Sequence, residues 1–203
     1  MSEESINFFK KNNYIVVNDF ISKEMASYLY DYVKLSSNRL SWAKHNIPNE
    51  QVRTFGKFSD ETGSYDNYGD MTFDTLLFHK LPVIEIMTGK KLMPTYSYFR
   101  LYMTGSELVK HIDRPSCEIS STLCLGYDSD YNWPMFVEGK PIHLNPGDMI
   151  IYRGCELEHW REPFKGKNHA QVFLHYNEVD GKYNNLNDGR PILGLPGNFR
   201  NFK

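Results

Sequence analysis

Apolar positions in the first ninety residues recur with two different periods. Tyr14-Ile15-Val16-Val17 is a short β-rich run that ends at Asn18-Asp19-Phe20-Ile21-Ser22. Ser22 can cap a helix in which Met25, Leu29 and Val33 fall a turn apart, so residues 23–35 are expected to form an amphipathic helix. Residues 53–71 are rich in Gly, Asp, Ser and Tyr and read as a long loop, of the kind that often covers a functional site. From Thr72 to Thr88, Leu76, Leu77, Leu81, Ile84 and Met87 collect on one side of a second helix. Pro82 is expected to break or kink that helix, and Gly89 to stop it.

From Tyr96 onward the period changes to two. Tyr96-Ser97-Tyr98-Phe99-Arg100-Leu101-Tyr102 alternates, Thr104-Gly105 is a turn, and extended structure resumes from Leu108 to Ile112. Short strands are then expected at Ile119 to Gly126, Tyr131 to Val137, Ile142 to Leu144, Met149 to Tyr152, Leu157 to Trp160 and His169 to Tyr176. Many short strands separated by Gly, Pro, Asn and Asp predict a mainly β chain with flanking helices, arranged as a sandwich or barrel. Residues 180–203 read as irregular.

Length changes this picture little. A chain of 203 residues is expected to form a single domain, 1–203, with a strand and helices over 11–90, a β core over about 96–178 and an irregular tail over 180–203. The 14 Tyr and 13 Phe suit strands and a lined pocket. A net charge of −2 leaves no electrostatic footprint for nucleic acid. Cys117, Cys124 and Cys155 form neither a C-x-x-C motif nor an even set, which argues against a disulfide framework or a zinc-thiolate site. The acidic start, Met-Ser-Glu-Glu, and the lack of a long apolar run predict a cytoplasmic protein without a membrane segment.

Candidate chemistry centres on His111-x-Asp113 and His159. Two imidazoles and one carboxylate are the donor set of a mononuclear non-haem iron(II) centre with open positions. On a strand, residues two apart share a face, so His111 and Asp113 can reach one ion together, and His159 must come from a distant strand. With 7 histidines and 25 acidic residues, about one H-x-(D/E) match is expected by chance, so context carries the assignment. Part of that context is the turn Asn145-Pro146-Gly147-Asp148, which launches the apolar run Met149-Ile150-Ile151-Tyr152. A second turn at Arg153-Gly154 then delivers His159 at the start of a strand.

Taken in order, Tyr102-x-x-Gly105, His111-x-Asp113, Pro146-x-Gly147-Asp148 and His159-x-x-x-Pro163 resemble the iron(II)/2-oxoglutarate-dependent dioxygenases, in particular the prolyl 4-hydroxylase-like branch. The resemblance spans about Lys11 to Tyr176. It implies a double-stranded β-helix (jelly-roll) core, with His111, Asp113 and His159 as metal ligands and catalytic residues. It also implies Fe(II), 2-oxoglutarate and O2 as cofactor and cosubstrates, and hydroxylation of a C–H bond with succinate and CO2 as co-products. The substrate is left as a protein or peptide residue, prolyl among them, or a small amino-acid-like metabolite. The carboxylate at Asp113 disfavours halogenation, whose enzymes replace it with a small residue.

The far carboxylate of 2-oxoglutarate needs a cation, because an unpaired buried charge is costly. The family's Lys or Arg, nine or ten residues after the distal histidine, falls on Asn168 or His169 here. Lys167, one residue short, and Arg161, on the face of His159, are therefore expected as equal candidates, with Arg100 next and Tyr102 as a hydrogen-bonding partner. If Lys167 lies in the last strand, His169, Gln171, Phe173 and His175 share its face. Arg114 and Glu118 are expected to frame the site, and Trp133 and Trp160 to serve as core or as walls of its entrance. Two other readings stand beside this one. A cupin-like metal-binding protein or a Zn/Mn enzyme could use the same donors without 2-oxoglutarate turnover. A nucleic-acid demethylase shares the metal set but requires a basic groove that this composition lacks.

Overall fold

The computed structural model describes residues 2–52 and 55–201. Helix α1 (Ser2–Asn12) opens with Glu3 and Glu4 and closes with Lys10 and Lys11, charges that suit the two ends of its dipole. Only Phe9 is buried along its described side chains, which is why apolar spacing does not reveal it. Strand β1 (Tyr14–Val17) leads to helix α2 (Lys23–Asn46), where the Ser22 hydroxyl accepts from the Met25 amide at 3.1 Å. The helix runs well past residue 35. Ser36 occupies a buried position in the stripe that continues through Leu40 and Ala43, and a polar residue there hides the period.

After the short helix α3 (Asn49–Val52), the expected loop over 53–71 proves instead to contain a hairpin, β2 (Lys57–Ser59) and β3 (Ser64–Tyr68). Arg53 and Thr54 of that expectation lie outside the described residues. Polarity misleads here because Ser64 and Asp66 are buried and satisfied: Ser64 Oγ and Tyr98 Oη both donate to the Asp66 carboxylate.

Helix α4 (Met71–Thr88) continues through Pro82 without a break, and Gly89 ends it at φ 67. Asp70 caps its start, accepting from the Thr72 amide at 3.0 Å and the Phe73 amide at 3.4 Å, and from the Tyr32 hydroxyl at 2.6 Å. Losing such a cap costs about 1 kcal/mol. Asp70→Ala should therefore lower the midpoint of thermal unfolding by roughly 2–4 °C. An unchanged midpoint would show that the cap contributes nothing.

Eight further strands follow: β4 (Leu92–Met103), β5 (Leu108–His111), β6 (Ile119–Asp128), β7 (Met135–Val137), β8 (Lys140–Ile142), β9 (Met149–Tyr152), β10 (His159–Arg161) and β11 (Asn168–Glu178). They pair antiparallel into a seven-stranded sheet, β1-β9-β6-β11-β4-β3-β2, and a four-stranded sheet, β5-β10-β7-β8. This is a jelly roll with flanking helices. Alternation sorts its residues cleanly. On β11, Ala170, Val172, Leu174 and Tyr176 join Leu29, Val33, Phe73 and Leu77 under the helices. The opposite face of the same strand carries His169, Gln171, Phe173 and His175, all buried. A hydrophobic layer thus stands behind the large sheet, and a polar inner face looks toward the small one.

Two glycines are required by close approach. A Cβ on Gly126 would meet the Tyr30 ring at 2.7 Å, and Gly147, at φ 97, lies under the Ile21 carbonyl. The tail is irregular apart from two short 3-10 turns, Leu186–Gly189 and Gly197–Phe199. It is nevertheless anchored: buried Arg190 bonds buried Asp74 at 2.8 Å and also donates to the Thr95 carbonyl at 3.1 Å. No helix among the described residues is long and apolar enough to cross a membrane.

Candidate functional site

His111 ends β5 and His159 begins β10, and the two are cross-strand partners in the small sheet. Asp113 follows β5 by two residues, in a stretch held by its amide donating to the Gly154 carbonyl at 2.8 Å. Gly154 leaves no room for a side chain: a Cβ there would lie 2.4 Å from Asp113 Oδ2 and Ser120 Oγ. Asp113 Oδ1 is 3.6 Å from His111 Nε2 and 3.5 Å from His159 Nε2. One ligand atom from each of the three lies within 4.8 Å of the other two.

The imidazoles are oriented from behind. His111 Nδ1 reaches the Val109 carbonyl at 2.7 Å, and His159 Nδ1 the Leu157 carbonyl at 2.9 Å. Donation from Nδ1 to these carbonyls leaves each Nε2 lone pair directed at the shared space, as metal-ligating histidines require. Ser120 Oγ donates to Asp113 Oδ2 at 2.7 Å and contacts His175 Nδ1 at 3.0 Å. The Tyr152 ring stands edge-on to His159, with centroids 4.9 Å apart. Burial alone would push the Asp113 carboxyl up; the two imidazoles beside it outweigh that and hold the group far below the usual carboxylate range. The same carboxylate raises His111.

The three residues sit on a cavity of about 320 Å³ that is also lined by Tyr98, Arg100, Arg161, Phe173 and His175. Of the expected cations, Lys167 is excluded from it. Its amide bonds the Asp128 carbonyl one residue before β11, and its exposed ammonium faces Asp128 at 3.3 Å. Arg100 lines the cavity but pairs with Asp66 at 3.3 Å. Arg161 differs from both. It is buried, donates to the Trp133 carbonyl at 2.9 Å, stacks its guanidinium 4.7 Å from the Trp133 ring, and has no carboxylate partner among the described residues. Tyr102 packs edge-on against the same Trp133 ring at 5.1 Å. The hydroxyls of Tyr102 and Thr122 and Oε1 of Gln171, all buried, have no hydrogen-bond partner among the described residues.

The remaining expectations divide. Trp133 is core beside Arg161, whereas Trp160 stacks on Phe136 at 5.3 Å beneath Lys110, itself paired with Glu158. Arg114 lines the cavity and grips Asp188 of the tail at 2.9 and 2.7 Å, while Glu118 accepts from the Glu178 amide. Sequence reasoning did not single out Ser120, Tyr152, Gly154, Tyr68, Tyr96 or Arg200. No spacing signal marks these; the alternation on β4 could have placed Tyr96 and Tyr98 beside Arg100.

His175 predicts a pH dependence. Burial drags its pKa from the ordinary 6.5 down to about 4. In the window between these values the unfolded chain binds a proton that the folded one refuses, so stability falls as pH drops through it. The loss is on the order of 3 kcal/mol. Buried His169 acts in the same direction. Urea unfolding of chelator-treated protein at several pH values should show this decline, and His175→Gln should lessen it. An equal decline in both proteins would remove His175 as the cause.

No family model matches the chain, and no curated protein matches it by sequence. Solved structures do. A prolyl-4-hydroxylase from Pseudomonas putida superposes with a TM-score of 0.63 at 14% identity, covering 88% of this chain and 99% of that one. SnoK, a non-heme alpha-ketoglutarate-dependent carbocyclase from nogalamycin biosynthesis, gives 0.67 at 12% identity, covering 97% and 93%. EctD from S. alaskensis, solved with 2-oxoglutarate and 5-hydroxyectoine, gives 0.64 at 15% identity, covering 98% and 86%. The chain therefore has the jelly-roll fold found in these 2-oxoglutarate-dependent proteins.

Proposed function

We propose that this protein is an Fe(II)- and 2-oxoglutarate-dependent oxygenase that hydroxylates a C–H bond, with His111, Asp113 and His159 as the iron ligands. The observation that carries the reading is the pairing of a three-donor site with a buried, uncompensated arginine in one cavity. The donor set fits ferrous iron: two imidazole Nε2 atoms and one carboxylate oxygen within 4.8 Å of one another fill three positions and leave the others open. The second half of the cavity fits the cosubstrate. Arg161 lines the cavity without a counter-charge among the described residues, and the Tyr102 hydroxyl, packed on the same Trp133 ring, lacks a partner, so a carboxylate there would satisfy both. A bare zinc or manganese site gives no reason for that cation.

Bound there with 2-oxoglutarate and O2, iron supplies oxidation of an unactivated C–H bond, with succinate and CO2 as co-products. The chain's own part is to position and to exclude. The Val109 and Leu157 carbonyls fix the imidazole tautomers, Ser120 holds the Asp113 carboxylate, and Gly154 lets that carboxylate close in. Arg161 and Tyr102 anchor the cosubstrate's far end, Met135 and Phe173 give the inner wall its apolar part, and the Tyr152 hydroxyl lies 3.5 Å from His159 Nε2. The rest of the cavity, lined in part by Tyr68 and Tyr98, is left for a peptide residue or an amino-acid-like metabolite.

Adding Fe(II) and 2-oxoglutarate without oxygen should produce a weak visible charge-transfer band that disappears in His111→Ala. Succinate should then form with members of a panel of peptides and free amino acids, each gaining one oxygen by mass spectrometry. Neither band nor succinate would favour a metal-binding protein without 2-oxoglutarate turnover.

A further inference from the structure

We propose that the substrate carries a carboxylate and that Arg200, delivered by the C-terminal tail, receives it at the cavity mouth. The inference rests on the oxygenase reading, because it follows from the balance of charge inside the site. Iron's two positive charges and that of Arg161 are matched by Asp113 and the two carboxylates of 2-oxoglutarate. Arg100 is matched by Asp66 at 3.3 Å. Arg114 is matched by Asp188, whose oxygens accept from both of its terminal nitrogens at 2.9 and 2.7 Å. Among the described residues one lining arginine remains. Arg200 reaches Asp188 only at 3.5 Å, after Arg114, Ser116 and Tyr68 have occupied it.

Geometry puts this surplus charge where a substrate would meet it. The rings of Tyr68 and Tyr96 stack at 4.7 Å, with Arg114 4.5 Å from Tyr96 and Arg200 5.5 Å from Tyr68. Arg200 is half-exposed, whereas Arg161 is buried. Its Nε donates to the Gly197 carbonyl at 3.3 Å, which leaves terminal donors for a ligand. A single surplus charge on a planar fork suits a carboxylate. A phosphate dianion would overfill it. A cavity of about 320 Å³ admits a small acid or a residue bearing a free carboxylate.

The test is ligand-observed NMR on the anaerobic Fe(II)·2-oxoglutarate protein, with N-acetyl amino acids as probes against their primary amides and phosphate monoesters. One partly exposed charge pair is worth about 1 kcal/mol, so acids should bind about fivefold tighter than amides. Arg200→Gln should erase the preference, and Arg200→Lys should keep part of it. The visible band should persist in both variants. Equal binding of acid and amide, no acid binding at all, tighter binding of phosphates, or a preference that survives Arg200→Gln would overturn the assignment. So would loss of the band in Arg200→Gln, since Arg200 would then serve the cosubstrate. Absence of the band in the unsubstituted protein would remove the oxygenase reading first; a normal band with no acid preference would remove only this inference.

Discussion

Replacing Asp113 with alanine is expected to abolish succinate formation and to weaken Fe(II) binding by more than about 100-fold, since loss of groups behind metal ligands already costs 10–100-fold. Asp113 contributes the only negative charge in the donor set, and its Oδ1 stands within 3.6 Å of both imidazole Nε2 atoms. Two neutral histidines alone would hold a hard divalent cation poorly. The substitution also frees Ser120, whose hydroxyl donates to Asp113 Oδ2, so a further variant separates charge from shape. Asp113→Asn keeps the volume and loses the charge, and it should fail nearly as badly. Anaerobic Fe(II) titration with succinate quantification checks both. Turnover comparable to the unsubstituted protein in either variant would place the metal elsewhere.

Arg161→Gln is expected to leave iron binding intact and to weaken 2-oxoglutarate binding by roughly 2–5 kcal/mol, the usual cost of stranding one member of a buried charge pair. That range corresponds to a loss of tens- to thousands-fold in affinity. Its size follows from burial: Arg161 lies against Trp133 with no carboxylate among the described residues to compete for it. Tyr102→Phe removes a neutral donor and should cost far less, about tenfold. Titrating 2-oxoglutarate against the visible band of the iron complex measures each. An unchanged affinity in Arg161→Gln would transfer the role to Arg100. Lys167→Ala should change nothing at the site, because that side chain is exposed and faces Asp128.

A β sandwich or barrel was legible in the sequence because both signals that build it are local, and the family resemblance narrowed it to a jelly roll. Period-two alternation marks β4 and β11, and turn residues such as Asn145-Pro146-Gly147-Asp148 separate the strands. The metal-site candidates were legible for the same reason: His111 and Asp113 are close neighbours, and His159 follows a turn. What escaped depends on distant contacts. Ser64 and Asp66 look like loop residues until Tyr98 and Arg100 are laid beside them on the next strand. Arg161 and Lys167 look equivalent by spacing, and only the fold buries one and exposes the other. Arg200 acquires meaning through Asp188 and Tyr68, which no periodicity links to it.

The most direct measurement is anomalous diffraction at the iron edge from crystals grown without oxygen in Fe(II) and 2-oxoglutarate. One strong peak is expected, bonded to Nε2 of His111, Nε2 of His159 and a carboxylate oxygen of Asp113, with the cosubstrate's far carboxylate on Arg161. A peak outside this trio, or none at full iron loading, would contradict this assignment.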